Sequence, residues 1–73
     1  MIIFTQHSKV RMWQRKISEK EVKLTIENPE KVEETFKERI KVERKIGNKR
    51  LVVIYKTIER NTIIITCYWK KEG

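Results

Sequence analysis

The chain has 73 residues and a mass of 8.9 kDa, and its 18 Lys and Arg residues against 10 acidic residues give a net charge of +8 and a pI near 9.9. A chain this short buries only about 60% of its unfolded surface, which excludes a two-domain enzyme, a doubly wound nucleotide-binding fold and a deep cofactor pocket. The positive charge favours a polyanionic partner, because a positive surface potential attracts nucleic acid and acidic surfaces.

The opening third predicts a short strand and a first helix. Residues 2–4 are apolar and form the strand, and Thr5 is a candidate N-cap for a helix over residues 7–16. Apolar side chains spaced three and four apart give this helix an expected inward face, which consists of Val10, Trp13 and Ile17.

A second helix follows at once. Ser18 and Glu21 form a capping box, so this helix is expected to begin at Glu19. It turns Val22 and Ile26 inward, and it ends at Asn28-Pro29 because the residue before a proline is pushed out of helical geometry.

From residue 31 onward the apolar pattern has a period of two, which predicts strands. A weaker strand over residues 32–36 precedes strands over residues 40–46, 51–55 and 63–69. The expected turns between the last three are Gly47-Asn48 and Arg60-Asn61. The chain thus predicts one α+β domain over residues 1–73, in which two N-terminal helices pack on an antiparallel sheet in the order β-α-α-β-β-β(β). The mixed-sign residues 30–43 are expected to be a solvated strand surface.

The remaining composition limits which metal sites, disulfides and membrane segments the chain can form. All ten acids are Glu, which disfavours a dedicated magnesium site, and the single Cys67 excludes an intramolecular disulfide and a cysteine zinc cluster. Cys67 lies in an apolar run and is expected to be a buried, inert thiol. No apolar run approaches the roughly 18 residues of a membrane span, and no secretory leader is evident. We expect a cytoplasmic protein without metal, cofactor or membrane segment.

Two groups of basic residues are candidates for function. On the first helix, His7, Arg11 and Arg15 are spaced four apart and form one edge, where phosphate binding would offset their mutual repulsion. An ordinary solvated helix edge gives the same pattern. His7 is the obvious candidate for proton transfer because histidine is the side chain that most readily gains and loses a proton near neutral pH, although a histidine at a helix start often only satisfies backbone groups.

The second group lies on the hairpin. The residues that flank or follow its turn are Arg44, Lys45, Lys49, Arg50 and Lys56. A basic β-ribbon is suited to holding phosphates, and exposed aromatic side chains can stack on unpaired bases. An edge hairpin kept soluble by its charges is the alternative. Tyr55 and Tyr68 either stack on bases or belong to the core with only the hydroxyl exposed, Trp13 is expected in the core, and Trp69 is left open. If these residues act together on a polyanionic ligand, the cations of the first helix and those of the hairpin must converge in one groove.

The chain resembles a small family of unknown function through an ordered set of motifs. These motifs are His7-x3-Arg11-Met12-x2-Arg15-x-Ile17-Ser18, then Val22, Asn28-Pro29 and the final Ile65-Thr66-Cys67-Tyr68. Lys16 stands where that family often has Gly. The family in turn looks like a distant branch of the RelE/ParE toxin superfamily, whose characteristic hairpin is similar to residues 44–55.

The resemblance implies a RelE/ParE-like fold and a toxin-like function. RelE-type members cleave messenger RNA in the ribosome with Lys, Arg and Tyr side chains and no metal, whereas ParE-type members act on DNA gyrase. The superfamily's C-terminal catalytic segment is absent here or reduced to Trp69-Lys70-Lys71. The implied partners are RNA, including ribosome-bound mRNA, and a small acidic antitoxin. Pairing of an exposed first or last strand would make a dimer.

Two hypotheses follow. In the first, the chain is a metal-independent ribonuclease in which the RNA 2′-OH attacks its own phosphate. His7 or Tyr68 would then act as acid or base, and the developing charge would be stabilised by Arg11, Arg15, Lys45 and Arg50. In the second, the same surface binds nucleic acid or a protein without catalysis, either as a dedicated module or as a degenerate toxin relative.

Overall fold

The computed structural model describes residues 1–71 as two helices packed on one face of a five-stranded sheet. The elements in chain order are β1 (Ile2–Phe4), α1 (Gln6–Arg15), α2 (Glu19–Glu27), β2 (Lys31–Glu34), β3 (Ile40–Ile46), β4 (Lys49–Ile58) and β5 (Asn61–Lys71). The sheet order is β1-β5-β4-β3-β2. The predicted α+β class and element order are confirmed.

The sheet is mixed, so the prediction of a wholly antiparallel sheet is wrong at one edge. β1 pairs in parallel with β5, with Phe4 opposite Ile64, while all other neighbours are antiparallel. The chain leaves β1 through the two helices and returns at the far edge, so the paired strands β1 and β5 are separated in sequence by both helices and by strands β2 to β4. Thr5 closes the junction by donating from its hydroxyl to the Ile64 carbonyl at 3.1 Å. β5 is therefore an interior strand, and β1 and β2 are the two edges.

α1 has the predicted cap but not the predicted inward face. The Thr5 hydroxyl accepts from the Ser8 amide, as expected for an N-cap. However, Val10 is 43% exposed and Trp13 is 82% exposed, whereas Ser8 and Met12 are buried. The Ser8 hydroxyl donates to the Thr5 carbonyl at 2.9 Å, so a small polar residue is satisfied under the helix and α1 can turn its Ser8–Met12 side to the sheet. Ile17 is buried as predicted, but it lies beyond the helix end and does not share the face of Trp13.

α2 agrees with its sequence signals. Ser18 and Glu21 form a complete capping box, and the helix ends at Glu27 with Asn28 as its C-cap before Pro29. Val22 is fully buried, and Ile26 packs at the margin of the core.

One turn of the meander is as predicted and one is displaced. Gly47 takes a positive φ of 64° in the predicted Gly47-Asn48 turn. The second turn is Glu59-Arg60 instead of Arg60-Asn61, since Ile58 pairs with Asn61. The register explains the displacement. Ile54 lies opposite Thr66 but Tyr55 lies opposite Ile64, so a bulge places one extra residue in β5, and the pairing beyond it leaves Glu59 and Arg60 as the two turn residues. β2 also ends two residues earlier than predicted.

Strand alternation divides the side chains of the sheet between two faces. The helix face meets α1 and α2 around a core of Met12, Ile17, Val22, Val42, Leu51, Val53, Ile64 and Cys67. We call the opposite side, which neither α1 nor α2 covers, the open face. Its basic side chains are Lys31, Lys41, Lys45, Arg50, Lys56 and Lys70, and its acidic side chains are Glu33 and Glu43.

A strained residue at the end of α1 gives the first testable prediction. Lys16 caps the helix in the left-handed conformation, with φ 55° and ψ 48°, a geometry that costs a residue with a Cβ about 1–2 kcal/mol. Glycine adopts it freely but loses more entropy on folding, so Lys16→Gly is expected to stabilise the fold by about 0.5–1 kcal/mol. Thermal unfolding measures this as a midpoint higher by about 4 °C.

The matched control is Lys9→Gly within α1, which removes the same charge from a right-handed position and should destabilise by about 1 kcal/mol. Equal effects of the two substitutions would contradict the assignment of strain to Lys16.

Candidate nucleic-acid interface

The predicted site residues do not form one group. His7 and Arg11 lie on α1, in the helical layer, while Lys45 and Arg50 lie on the open face. The prediction that the two sets converge in one groove is therefore wrong. Alternation is also the reason that the hairpin set divides, because neighbouring residues of one strand point to opposite faces. Lys45, Arg50, Lys56 and Tyr68 share the open face, and Arg44 and Lys49 lie on the helix face.

The cations of the helix face have structural partners. Arg15 donates from Nη1 to the Cys67 carbonyl at 2.7 Å, and Trp69 donates from Nε1 to the Arg15 carbonyl at 2.8 Å. This reciprocal pair of hydrogen bonds fastens the end of α1 to β5. Arg44 donates to the Asn28 carbonyl at 2.8 Å and ties β3 to the end of α2. These contacts leave Arg15 and Arg44 as parts of the scaffold.

Three further predicted residues are closer to solvent. The Lys49 ammonium lies 5.4 Å from the centroid of the Trp69 ring, a cation–π distance. Arg11 donates to the Gln14 side chain at 3.3 Å, a short-range contact on the surface of α1. His7 is exposed, and no side chain among residues 1–71 hydrogen-bonds to its ring. Within the described part of the chain, His7 therefore has no hydrogen-bonded side chain that could assist proton transfer.

The centre of the open face is a buried carboxylate surrounded by cations. Glu43 is only 2% exposed, so the expectation that residues 30–43 form a solvated strand surface is wrong at this position, although residues 30–34 are exposed as expected. Its Oε1 lies 3.3 Å from Arg50 Nε and 3.6 Å from Lys70 Nζ, and its Oε2 lies 3.9 Å from Lys41 Nζ. These cations come from three adjacent strands, namely β3, β4 and β5. We call Glu43, Lys41, Arg50 and Lys70 the Glu43 cluster.

The charge state of Glu43 follows from two opposing effects. Burial is the largest single influence and raises the pKa of Glu43, because it penalises the charged form. The hydrogen bond from Arg50 and the charges of Lys70, Lys31 and Lys41 act in the other direction and together outweigh burial, so the pKa is lowered from its ordinary 4.5. Glu43 is therefore ionised at neutral pH. Its Oε2 accepts no hydrogen bond from residues 1–71.

Further contacts extend the cluster along the sheet. Glu30 accepts a charged contact from Arg50 Nη1 at 3.2 Å and a hydrogen bond from the Lys45 amide at 3.0 Å. Val52 lies between Glu43 and Tyr68 in the same row of paired residues and is fully buried, although no helix covers this face. Neighbouring side chains therefore cover Val52, and Val52 itself is not part of the exposed surface.

The thiol of Cys67 takes no part in this surface. It is buried on the helix face, and burial raises its pKa to about 11 while the nearby Arg15 charge acts weakly in the opposite direction. The prediction of a buried thiol is confirmed, and its raised pKa disfavours the reactive thiolate.

The sequence reasoning missed Lys41, Glu43 and Lys70 as a group. The alternation of residues 40–46 does predict that Lys41 and Glu43 share a face, so half of the cluster was available from the pattern. The contribution of Lys70 depends on the pairing of Arg50 with Lys70, which the bulge in β5 determines. The arrangement as a whole presents several cations around one fixed anion on an uncovered sheet, a surface that can hold phosphate groups.

The lowered pKa of Glu43 predicts how stability depends on pH. Because the folded pKa lies below the unfolded value near 4.5, the ionised carboxylate contributes stability above pH 4.5 that is lost as the pH falls through the folded pKa. Glu43→Gln should therefore destabilise the fold by about 1–3 kcal/mol at pH 7, since it removes the buried carboxylate charge that Arg50, Lys70 and Lys41 share. The difference from the unsubstituted chain should shrink steadily below pH 4.5 in denaturant unfolding.

Glu33→Gln is the matched control. Glu33 is half exposed and lies 3.9 Å from Lys41, so its removal should cost less than about 0.5 kcal/mol at any pH. A pH-independent deficit for Glu43→Gln would show that packing, and not the charge, is what the substitution removes.

Among residues 1–71, neither helix has the length and apolar character needed to cross a membrane.

Comparison with known proteins identifies the family of this chain but not its function. No curated protein and no solved structure matches the chain. The family model described as Domain of unknown function (DUF4258) matches residues 4–69, which include both helices, nearly all of the sheet and every residue of the Glu43 cluster except Lys70. The chain therefore belongs to the DUF4258 family.

Proposed function

We propose that this chain binds single-stranded RNA along the open face of its sheet. The observation that carries the proposal is the Glu43 cluster, in which cations from three adjacent strands are held around one buried carboxylate. Neighbouring strands lie about 4.8 Å apart, so these cations cover a span of about 10 Å across the strands. A flexible phosphodiester backbone can follow such a row.

Prior ordering of the cations favours binding. Free lysine and arginine side chains lose about 2 kcal/mol of rotamer entropy when a ligand fixes them. The carboxylate of Glu43 already restrains Arg50, Lys70 and Lys41, so part of this cost is met on folding. The six basic side chains of the open face still outnumber the acidic Glu30, Glu33 and Glu43, so this face stays attractive to phosphate.

Tyr68 and the partly exposed Ile54 support a single-stranded ligand. Tyr68 is half buried in the row that contains Glu43 and Val52, and Ile54 lies in the next row of the open face. Unpaired bases stack on aromatic side chains, whereas the bases of a duplex are already stacked on each other. An uncovered sheet that carries an aromatic ring beside cations is a common arrangement for reading unpaired RNA.

The choice of RNA over DNA rests on the resemblance to the RelE/ParE superfamily, to which we assign the fold as part of this proposal. A more specific version of this proposal is that the chain also cleaves the RNA that it binds. Since His7 lies in the helical layer, a cleaving site on the open face would use Tyr68 and Arg50 and not His7. Cleavage by this route would continue in EDTA, would leave cyclic phosphate ends, and would be unaffected by His7→Ala.

The binding proposal is tested by the salt dependence of affinity for a fluorescent single-stranded RNA. Removing one cation that binds a phosphate should reduce the slope of log affinity against log salt concentration by about 0.7. Lys41→Gln and Lys70→Gln should each weaken binding and reduce the slope by about this amount.

The control variants are Lys20→Gln and Lys23→Gln on α2, which change the net charge equally on the helical side of the molecule. They should leave the slope within error of the unsubstituted chain. Equal reductions at all four positions would mean that only the total charge matters, and an affinity that does not change with salt would end the proposal.

A protein partner for the helical layer is the second candidate, and one observation favours it. Trp13 is 82% exposed and Val10 is 43% exposed on α1, beside the basic Lys9 and Arg11. Exposed tryptophan beside arginine is enriched in protein interfaces. The partner this surface fits is an acidic segment with its own apolar side chains, as an acidic antitoxin would be.

Trp13→Ala should then abolish binding of such a segment and leave RNA affinity unchanged, because the two surfaces lie on opposite sides of the molecule. Trp13 emission that does not change when the segment is added would contradict this second candidate.

A further inference from the structure

The free edge of β2 is unusual for a strand of this sheet. All four residues of Lys31–Glu34 are exposed, and Val32 is 60% exposed although it lies on the helix face, where the other strands bury their side chains. An uncovered edge strand presents unpaired backbone groups that can pair with another strand. β1, the other edge, has only three residues.

The hydrogen-bonding pattern determines which residues of β2 face outward. The Thr35 amide donates to the Arg39 carbonyl, so Thr35 and Arg39 form a hydrogen-bonded pair. Such pairs alternate along an antiparallel ladder, which makes Glu33–Lys41 and Lys31–Glu43 hydrogen-bonded pairs as well. The backbone N–H and C=O groups of Val32 and Glu34 must then point away from β3, toward solvent.

Only one symmetric register both forms backbone hydrogen bonds between the two copies and avoids like charges at its centre. A second copy can pair antiparallel to β2 only if outward-facing residues meet outward-facing residues. Centring the pairing on Glu33 or on Glu34 would bring identical carboxylates together, and centring it on Lys31 would bring two lysines together. Centring it on Val32 sets Val32 against its own copy, and each Lys31 against the Glu33 of the other copy.

The flanking residues are compatible with this register. This register sets Glu30 opposite Glu34 of the other copy, but the Glu30 carboxylate is turned toward Arg50 and the Lys45 amide, whereas Glu34 lies on the helix face opposite Ile40. Residues directly opposite in an antiparallel pair share a face of the sheet, and opposite charges there are stabilising. The two Lys31–Glu33 pairs therefore lie on the open face, and the Val32 pair lies on the helix face.

We infer that two copies of this chain pair through β2 in the register centred on Val32. The result is a continuous ten-stranded sheet with all four helices on one side and both open faces on the other. The inference concerns self-association and is independent of the RNA-binding proposal, although a dimer would double the length of the basic surface.

The strength of the association is limited by its size. A four-residue edge buries less than the roughly 1,200 Å² of a standard interface, which places it among weak, reversible contacts. A monomer–dimer equilibrium is expected at concentrations between about 10 μM and about 1 mM. Sedimentation velocity over that range measures the dissociation constant.

A charge-exchange cycle tests the register. Lys31→Glu and Glu33→Lys, each alone, put like charges opposite one another and should raise the dimer dissociation constant about tenfold, equivalent to about 1.4 kcal/mol. The double variant restores opposite charges and should return the constant to within about threefold of the original. Lys20→Glu and Glu27→Lys on α2 repeat the charge changes elsewhere and should have no comparable effect.

A cysteine cross-link tests the same register without relying on charge. Paired Val32 residues would have Cα atoms about 5.5 Å apart, within the range that a disulfide can span. Val32→Cys should form a covalent dimer under mild oxidation, whereas Ile58→Cys, exposed at the far end of the hairpin, should not. Cys67 is buried, so the unsubstituted chain should not cross-link.

A chain that stays monomeric at about 1 mM would overturn the inference. So would a dimer that is insensitive to both single charge changes, or one in which Val32→Cys does not cross-link.

Discussion

The ionised, buried carboxylate of Glu43 is the constraint on which the open face depends. Without it, Lys41, Arg50 and Lys70 would be brought together by strand pairing alone and would repel one another. With it, a charge removed from water must be compensated, and these three cations lie close enough to do so. Buried ion pairs contribute little net stability compared with apolar side chains of the same size. The cluster is therefore better explained by the surface it creates than by the stability it adds.

The positive charge of this chain has two separate uses, one on each face of the sheet. On the helix face, Arg15 donates to the Cys67 carbonyl and Arg44 donates to the Asn28 carbonyl. These hydrogen bonds hold the helices against the sheet. On the open face, the cations surround Glu43 and remain close to solvent. A net charge alone cannot distinguish these uses. Alternation along β3 and β4 separates them, because it sends Arg44 and Lys45, adjacent in sequence, to opposite sides.

Sequence reasoning was most successful where a local signal decides the structure. The capping box of Ser18 and Glu21, the stop at Pro29 and the Gly47 turn depend on neighbours within four residues, and all three are confirmed. It failed where distant pairing decides. The apolar stripe of Val10 and Trp13 matched a helical period, but the contact of α1 with β5 selects the Ser8–Met12 side instead. The bulge in β5 and the parallel place of β1 have no local signature, so the membership of the Glu43 cluster could be predicted only in part.

The distribution of charge also bears on how a strongly basic chain could associate with itself. Residues 28–44, which contain β2, carry equal numbers of acidic and basic residues, whereas the positive excess lies in the segments before and after them. At the β2 edge Glu30, Glu33 and Glu34 therefore lower the potential where a second copy would approach, and the Glu43 cluster begins one strand further in. Two like-charged molecules can meet at the least positive edge of each. A polyanion lying across both open faces would reduce the remaining repulsion, so ligand binding and pairing through β2 would favour each other by linkage.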